Sequence, residues 1–410
     1  MSRPDLTTHG GIYMLRWSDE LIDIRVDRLS ENSKYEVTGE ILVTTRAPGS
    51  APHLHQARFN LTSTSARGTL ARHLESRYPD QDWTQVIEQM AVLVLRKHRE
   101  GEPVIHMADY APPERLAYRI HPILQERQST VLFGHGDTGK SWFADYLTVL
   151  VTAGFSHNGF APEPGRVLFV DYETDSDTFW DRINRICAGL DIPIPEHIYY
   201  HHAHLTLAAC VEEIQRHVVE KQINLMFVDS AAFAVSEPEA SMPTMEYFRA
   251  LRSLNLTTMT IAHLPKTGNQ IAPFGSVFWR NAPRANFRLA SSQEPGLDEF
   301  VVALKHTKSN NGRRLRDMGF RLSFDNINNT VVFTQATLSD DPELAKELTL
   351  TQRLEETLRR GSKTVKELSD ELETSESTIR TKLNQHKSMF QPINHEGAHF
   401  WGLKSLVQDP

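Results

Sequence analysis

The sequence predicts an α/β protein with a mostly parallel central sheet, preceded by an α+β domain and followed by a winged helix-turn-helix. Three observations carry that expectation. Short apolar, β-branched runs alternate with amphipathic helical patterns from about residue 116 to residue 334. One of these runs leads through a glycine-rich loop at 134–141 straight into a helical pattern. Beyond residue 350, three short helical patterns precede two apolar runs that flank a turn.

At 410 residues the chain is too long for one ordinary domain, and its composition shifts divide it into 1–112, 113–340 and 349–410. In the first part, alternating runs at 12–16, 21–29 and 35–45 read as antiparallel strands, and helical patterns follow at 65–77 and 83–99. Nothing there has the spacing of a catalytic site. Ala111-Pro-Pro-Glu114 opposes both helix and sheet and marks a linker. In the second part, strands are expected at 130–133, 166–170, 198–202, 225–228, 257–262, 300–306 and 330–334. Several lack alternation, as strands buried on both faces do. In the third part, Thr364-Val-Lys-Glu367 has capping-box form and opens the second of three helices; the third spans about 375–387. The runs 389–393 and 399–403 then form a hairpin wing around Asn394-His-Glu-Gly397.

The 40% hydrophobic fraction is that of a globular protein, and no window approaches the ~20 apolar residues needed to cross a bilayer. The opening MSRPDLTTHGG lacks a secretory pattern. Cys187 and Cys210 are the only cysteines, which excludes a disulfide framework or a CxxC zinc site and fits a reducing compartment. A cytoplasmic protein without a membrane partner is expected. The net charge of −8 argues against a uniformly basic surface but leaves room for a local basic groove.

The strongest chemical signal is Gly134-His-Gly-Asp-Thr-Gly-Lys-Ser141, which fits GxxxxGK[ST] between the run Thr-Val-Leu-Phe and a helical pattern starting at Trp142. In that setting backbone amides and a helix N-terminus face a polyphosphate. Gly134, Gly136, Asp137, Thr138, Gly139 and Trp142 are expected around the nucleotide, with Lys140 at the β- and γ-phosphates and Ser141 on Mg²⁺. The expected cofactors are ATP and Mg²⁺. Leu225-Met-Phe-Val-Asp229 is an apolar strand ending in a carboxylate, and Asp229 would share the Mg²⁺ shell with Ser141. Val167-Leu-Phe-Val-Asp171-Tyr-Glu173 also ends in acid. Hydrolysis needs a group that activates water near the γ-phosphate, so Glu173 and Asp171 compete for that role.

Together these motifs resemble the RecA-like ATPases, especially the RepA-type hexameric helicase branch, over about 116–334. The resemblance implies a RecA-like P-loop core in which Glu173 polarises the attacking water. It implies a His-x-x-Lys pair in Met259-Thr-Ile-Ala-His263-Leu-Pro-Lys266, with His263 sensing the γ-phosphate. In Phe274-Gly-Ser-Val-Phe-Trp-Arg280-Asn-Ala-Pro-Arg284-Ala-Asn-Phe-Arg288 it implies an arginine that reaches the nucleotide of a neighbouring subunit. Arg284 is the first choice there, with Arg280 and Arg288 as alternatives. Lys305-His-Thr-Lys308-Ser-Asn-Asn-Gly312 is similar to a segment whose lysines face nucleotide across the subunit interface. Lys305 and Lys308 would do so here, although the same charge also suits a nucleic-acid backbone. A homo-oligomer is implied, with a hexameric ring favoured. The chain departs from its relatives at His135, where proline is common, and at Trp142, which is bulkier than usual.

On the third C-terminal helix, Ser377, Thr378, Arg380, Thr381, Lys382, Gln385 and Lys387 can bond phosphates and base edges, while Ile379 and Leu383 bury the opposite face. Lys+Arg and Asp+Glu each number nine across 349–410, so protein docking remains open beside DNA contact. The expected function is an ATP-hydrolysing motor on single- or double-stranded DNA, a helicase or translocase of plasmid or phage-type replication. A non-unwinding ATPase switch, loader or regulator is the alternative, as is a docking scaffold stabilised by nucleotide.

Overall fold

Val167–Asp171 and Leu225–Asp229 are buried at every position, as strands covered on both faces must be. The structure is a computed structural model that describes residues 2–9, 11–101, 104–111, 117–264, 273–346, 348–395 and 398–404. In it the two strands are neighbours in a nine-stranded sheet. The order across that sheet is Ile198–His202, Val167–Asp171, Leu225–Asp229, Thr257–His263, Ser129–Gly134, Ala285–Ser292, Glu299–Ser309, Met318–Asp325 and Thr330–Gln335. The first six run parallel to one another. The last three extend the sheet antiparallel. The core is therefore α/β with a mixed, mostly parallel sheet.

Two strands of this sheet escape the sequence reading. Ala285–Ser292 carries Asn286 and Arg288 among its apolar residues, and Asn286 is buried, so polarity there gives no sign of a central strand. Met318–Asp325 buries only Phe320 and Leu322, and its alternation is short. Helices Lys140–Ala153 and Ser176–Gly189 share one core with the sheet, in which Phe143, Leu147, Phe169, Phe179, Phe227 and Phe320 meet. The register places Asp171 opposite Asp229 and His263 opposite Gly134. Four residues of chemical interest thus stand at the carboxyl edge of parallel strands, where open α/β sheets bind their ligands.

The chain divides into two compact units, one of Met1–Ala117, Leu207–Ile223 and Ala250–Asn255, the other of the remainder. In the first, five antiparallel strands follow one another in chain order. Asp5–His9 and His53–Asn60 are the two edge strands, additions to the three expected. Val37–Thr45 alternates buried and half-exposed residues along its whole length. Its inner face packs with Leu74, Val86, Met90 and Val94 of helices Thr64–Arg77 and Trp83–Glu100. Ser63 and Asp82 cap those helices by accepting from the amides of Ala66 (3.2 Å) and Gln85 (3.0 Å). Most of the linker expected at 111–114 lies outside the described residues.

At the C-terminal end, helices Leu350–Arg359, Val365–Glu371 and Glu376–Gln385 enclose Leu354, Leu368, Ile379 and Leu383. Capping boxes open the first two, at Thr349 with Gln352 and at Thr364 with Glu367. Three strands pair beside them in the order Lys363–Thr364, Ala398–Leu403, Phe390–His395. The third helix ends two residues before Lys387, which stands in the following turn. Glu396 and Gly397 of the expected hairpin turn lie outside the described residues. Among the described residues no helix is long and apolar enough to cross a membrane.

Candidate nucleotide site

The loop between Ser129–Gly134 and Lys140–Ala153 needs two of its glycines for distinct reasons. At Gly134 a Cβ would lie 2.3 Å from the Leu289 carbonyl oxygen, so only glycine lets the neighbouring strand pass. Gly139 sits at φ +78°, a left-handed conformation that glycine adopts without strain, and it turns the chain into the helix. Lys140 is the first helical residue and is buried. Its Nζ donates to the His135 carbonyl and, at 3.3 Å, to Thr138 Oγ1. Burial holds its ammonium below the usual lysine range, against the pull of Asp229, Glu173 and Asp137.

Ser141 donates to Asp229 Oδ2 at 2.6 Å. Burial pushes the Asp229 carboxyl up to about 6, although the Ser141 hydrogen bond works against it. A hydroxyl one residue beyond the phosphate-loop lysine and a strand-end carboxylate in contact with it form an oxygen pair suited to Mg²⁺.

Across the same cavity stands Glu173. Its Oε1 accepts from the Ser230 hydroxyl and lies 3.4 Å from His263 Nε2. These contacts, the imidazole foremost, hold its carboxyl below the usual range in spite of partial burial. Asp171 points elsewhere. It is fully buried and accepts from the amides of Glu173 (2.8 Å) and Thr174 (3.0 Å) and from the Thr174 hydroxyl (2.6 Å). Asp171 shapes the loop, and Glu173 faces the cavity.

The cavity has a volume of about 550 Å³, and its walls include Gly136, Asp137, Thr138, Gly139, Lys140, Ser141, Trp142, Glu173, Asp229 and His263. Sequence positions far apart are thereby brought together. Lys266, the second member of the His-x-x-Lys pair, lies outside the described residues. Three further groups escape the sequence reading. Ser230 follows the strand carboxylate with no pattern to announce it. Arg182, on helix Ser176–Gly189, lines the cavity 2.9 Å from Asp145, a fully buried carboxyl that burial pushes up to about 8 against the guanidinium beside it. Phe324 stands edge-on to Trp142 at 5.3 Å, and Arg185 lies 5.9 Å from both rings, which forms an aromatic wall.

Other expected site residues lie away from this cavity. The Arg284 amide donates to the carbonyl of Ser129, the first residue of the strand that leads to the loop. That places it at the opposite end of the sheet, roughly 17 Å of strand away. Arg288 pairs with Phe133, close to the loop, and Arg280 is exposed at the end of the short helix Phe278–Asn281. Lys308 Nζ donates to the Asn281 carbonyl at 2.8 Å and to that of Pro283, and Lys305 lies 3.9 Å from Asp317. Of the third C-terminal helix, Ser377, Thr378, Arg380, Thr381 and Gln385 are exposed, as is Lys387 beyond it, and Lys382 is half-buried.

Residues 98–269 match the AAA_25 family, described as an AAA domain, and the match takes in the loop, Glu173, Asp229 and His263. The chain carries a RecA-like P-loop ATPase domain. No curated protein matches the chain. Among solved structures, a KaiC-like protein from the hyperthermophilic archaeon Pyrococcus horikoshii OT3 is similar at 14% identity and a TM-score of 0.41, covering 54% of this chain and 100% of that one. An ATPase domain of this type takes ATP with Mg²⁺, and the Lys140, Ser141 and Asp229 groups of this AAA domain fit that pair.

Proposed function

We propose that this protein is an ATP-hydrolysing, DNA-associated motor of the RecA/RepA type that works as a homo-oligomeric ring, favoured as a hexamer, in helicase or translocase steps of plasmid or phage-type replication. The observation that carries the hydrolytic part is Glu173, held between Ser230 and His263 across the cavity from Lys140, Ser141 and Asp229. The loop amides and Lys140 would hold the β- and γ-phosphates, and Ser141 and Asp229 would hold Mg²⁺, which neutralises charge on the phosphates. Glu173 then orients a water and takes its proton as the water oxygen attacks the γ-phosphorus and ADP departs. His263, in contact with Glu173, would pass the state of the γ-phosphate to the segment that follows it. Arg284 would act on a neighbour's site, stabilising charge on the transferring phosphoryl group. Lys305 and Lys308 would support that interface.

Support for DNA association comes from the C-terminal module. Three helices and a β-hairpin would act as a winged helix-turn-helix, whose third helix would present Ser377, Thr378, Arg380, Thr381, Lys382 and Gln385 to the major groove, with Lys387 just beyond. The balanced charge of that module also suits a non-unwinding switch or loader that uses the same ATPase site.

ATP turnover by wild type and Glu173→Gln, with and without single-stranded DNA, tests this reading. The expected outcome is DNA-stimulated turnover in the wild type and a loss of about 10²- to 10⁴-fold in the variant, with ATP binding retained. Equal turnover in both proteins would remove Glu173 from the mechanism. Turnover indifferent to DNA would leave the ATPase and remove the motor.

A further inference from the structure

At the end of the sheet opposite the glycine-rich loop, a cleft of about 560 Å³ opens between the Tyr118–Gln125 segment and the hairpin joining Glu299–Ser309 to Met318–Asp325. It is as large as the nucleotide cavity but has the opposite electrostatic character. Arg284, Arg313, Arg314 and Arg316 line it, and among the described residues no carboxylate does. Arg316 is held by Glu355 at 2.7 Å. Arg284, Arg313 and Arg314 are exposed and have no carboxylate partner among the described residues. The excess positive charge reaches further: besides burial, the Arg284 and Arg280 guanidiniums hold the nearby Lys308 ammonium below the usual lysine range. Asn311 spans the rim by donating to Gln125 Oε1 at 2.6 Å, which ties the hairpin to the facing wall.

A concave wall of one sign focuses potential and draws in a counter-ion. The chemistry of the wall narrows what that ion is. A magnesium-bound triphosphate of its own would need oxygen ligands for the metal, and the described residues of this cleft offer no carboxylate. A phosphodiester carries one charge, and a guanidinium meets it directly with paired N–H donors. Tyr118 adds a half-buried ring to the wall, a platform on which a base can stack. A flexible single strand can bend its phosphates into a concavity, whereas a duplex presents them on a convex rod.

We propose that the part of this cleft formed by Arg313, Arg314 and Tyr118 is a second binding site that takes the phosphodiester backbone of single-stranded nucleic acid, apart from Arg284, which the proposed function gives to a neighbour's nucleotide. The site rests on the reading of the protein as DNA-associated and gives that reading a location apart from the C-terminal helix. Arg313 and Arg314 carry the contact from the hairpin, and Tyr118 receives a base.

The test uses the full chain and a fluorescently labelled oligothymidine, with anisotropy titrations at several salt concentrations. Arg313→Ala/Arg314→Ala should lose about tenfold or more in affinity at low salt. Its slope of log K against log salt should be shallower by about 1.4, or 0.7 for each of two phosphate contacts on a single strand. Its turnover without DNA should match the wild type, and Arg313→Lys/Arg314→Lys should keep the slope. Arg380→Ala/Lys382→Ala, on the C-terminal helix, should retain single-strand affinity. Affinity and slope unchanged in the arginine-to-alanine variant would overturn the proposal. So would intact DNA affinity with a loss of basal turnover, which would assign the cleft to a neighbouring copy's nucleotide. A wild type that fails to bind the oligonucleotide sinks the DNA reading itself, an outcome distinct from a wild type that binds while the cleft variant binds equally well.

Discussion

Two carboxylates separated by a single tyrosine meet different surroundings in this protein. Asp171 spends its oxygens on two amides and a hydroxyl of its own loop, so its charge is consumed in shaping the backbone. Glu173 keeps a partly exposed carboxylate in the cavity and takes its partners from Ser230 and His263, on two other strands' ends. The imidazole is the leading cause of its lowered pKa, with the Ser230 hydroxyl assisting. The sign for activity follows. A base with a lowered pKa stays ionised to lower pH, so the acid limb of kcat/KM should fall below the ordinary carboxylate range. His263→Ala removes the main lowering contact while burial persists, so the limb should move to higher pH. A pH profile of both proteins checks this, and an unmoved limb would show that Glu173 is not the group that titrates.

Among elements, the strand that leads into the phosphate loop depends on a close approach that no periodicity reports. Ala285–Ser292 runs beside Ser129–Gly134, and the Leu289 carbonyl oxygen would stand 2.3 Å from any Cβ at Gly134. Gly134→Ala should therefore force the two strands apart where the loop begins. A cost of about 3 kcal/mol is expected, as for an overpacked core. Thermal unfolding should show it as a drop of several degrees, together with weakened ATP binding. A variant with wild-type melting temperature and affinity would contradict the close packing. The apolar strands 167–171 and 225–229 were legible because burial on both faces leaves an unbroken hydrophobic run. Ala285–Ser292 was not, because Asn286 and Arg288 interrupt its apolar run, although Asn286 is buried with its amide donating to the Trp279 and Arg280 carbonyls. Caps were legible for the opposite reason: Thr364 and Glu367 need only each other.

For the whole molecule, the decisive relation is between the two ends of the nine-stranded sheet. Arg284 sits at the end where Ser129 begins the strand, and Lys140 follows the end where Gly134 closes it. An arginine so placed cannot serve its own phosphates and can serve those of another copy. Mixing Arg284→Ala with Lys140→Ala chains should therefore restore turnover that neither has alone, because the first supplies an intact loop and the second an intact arginine. ATPase assays on the separate and mixed variants measure it. A mixture no more active than its parts would exclude Arg284 from any neighbour's site.

What the sequence determined by itself was local. The glycine-rich loop, the strand-end acids, the helix caps and the apolar runs are written in residues within about a turn or a strand of one another. The tertiary structure decided which of Asp171 and Glu173 faces the cavity, that Ser230 and Arg182 join it, and that four arginines gather in one cleft. Each of these depends on hydrogen-bond partners, burial and strand register supplied from residues tens of positions away. Such contacts arise only when the sheet order brings them together, and a side chain's role is set by the company it then keeps.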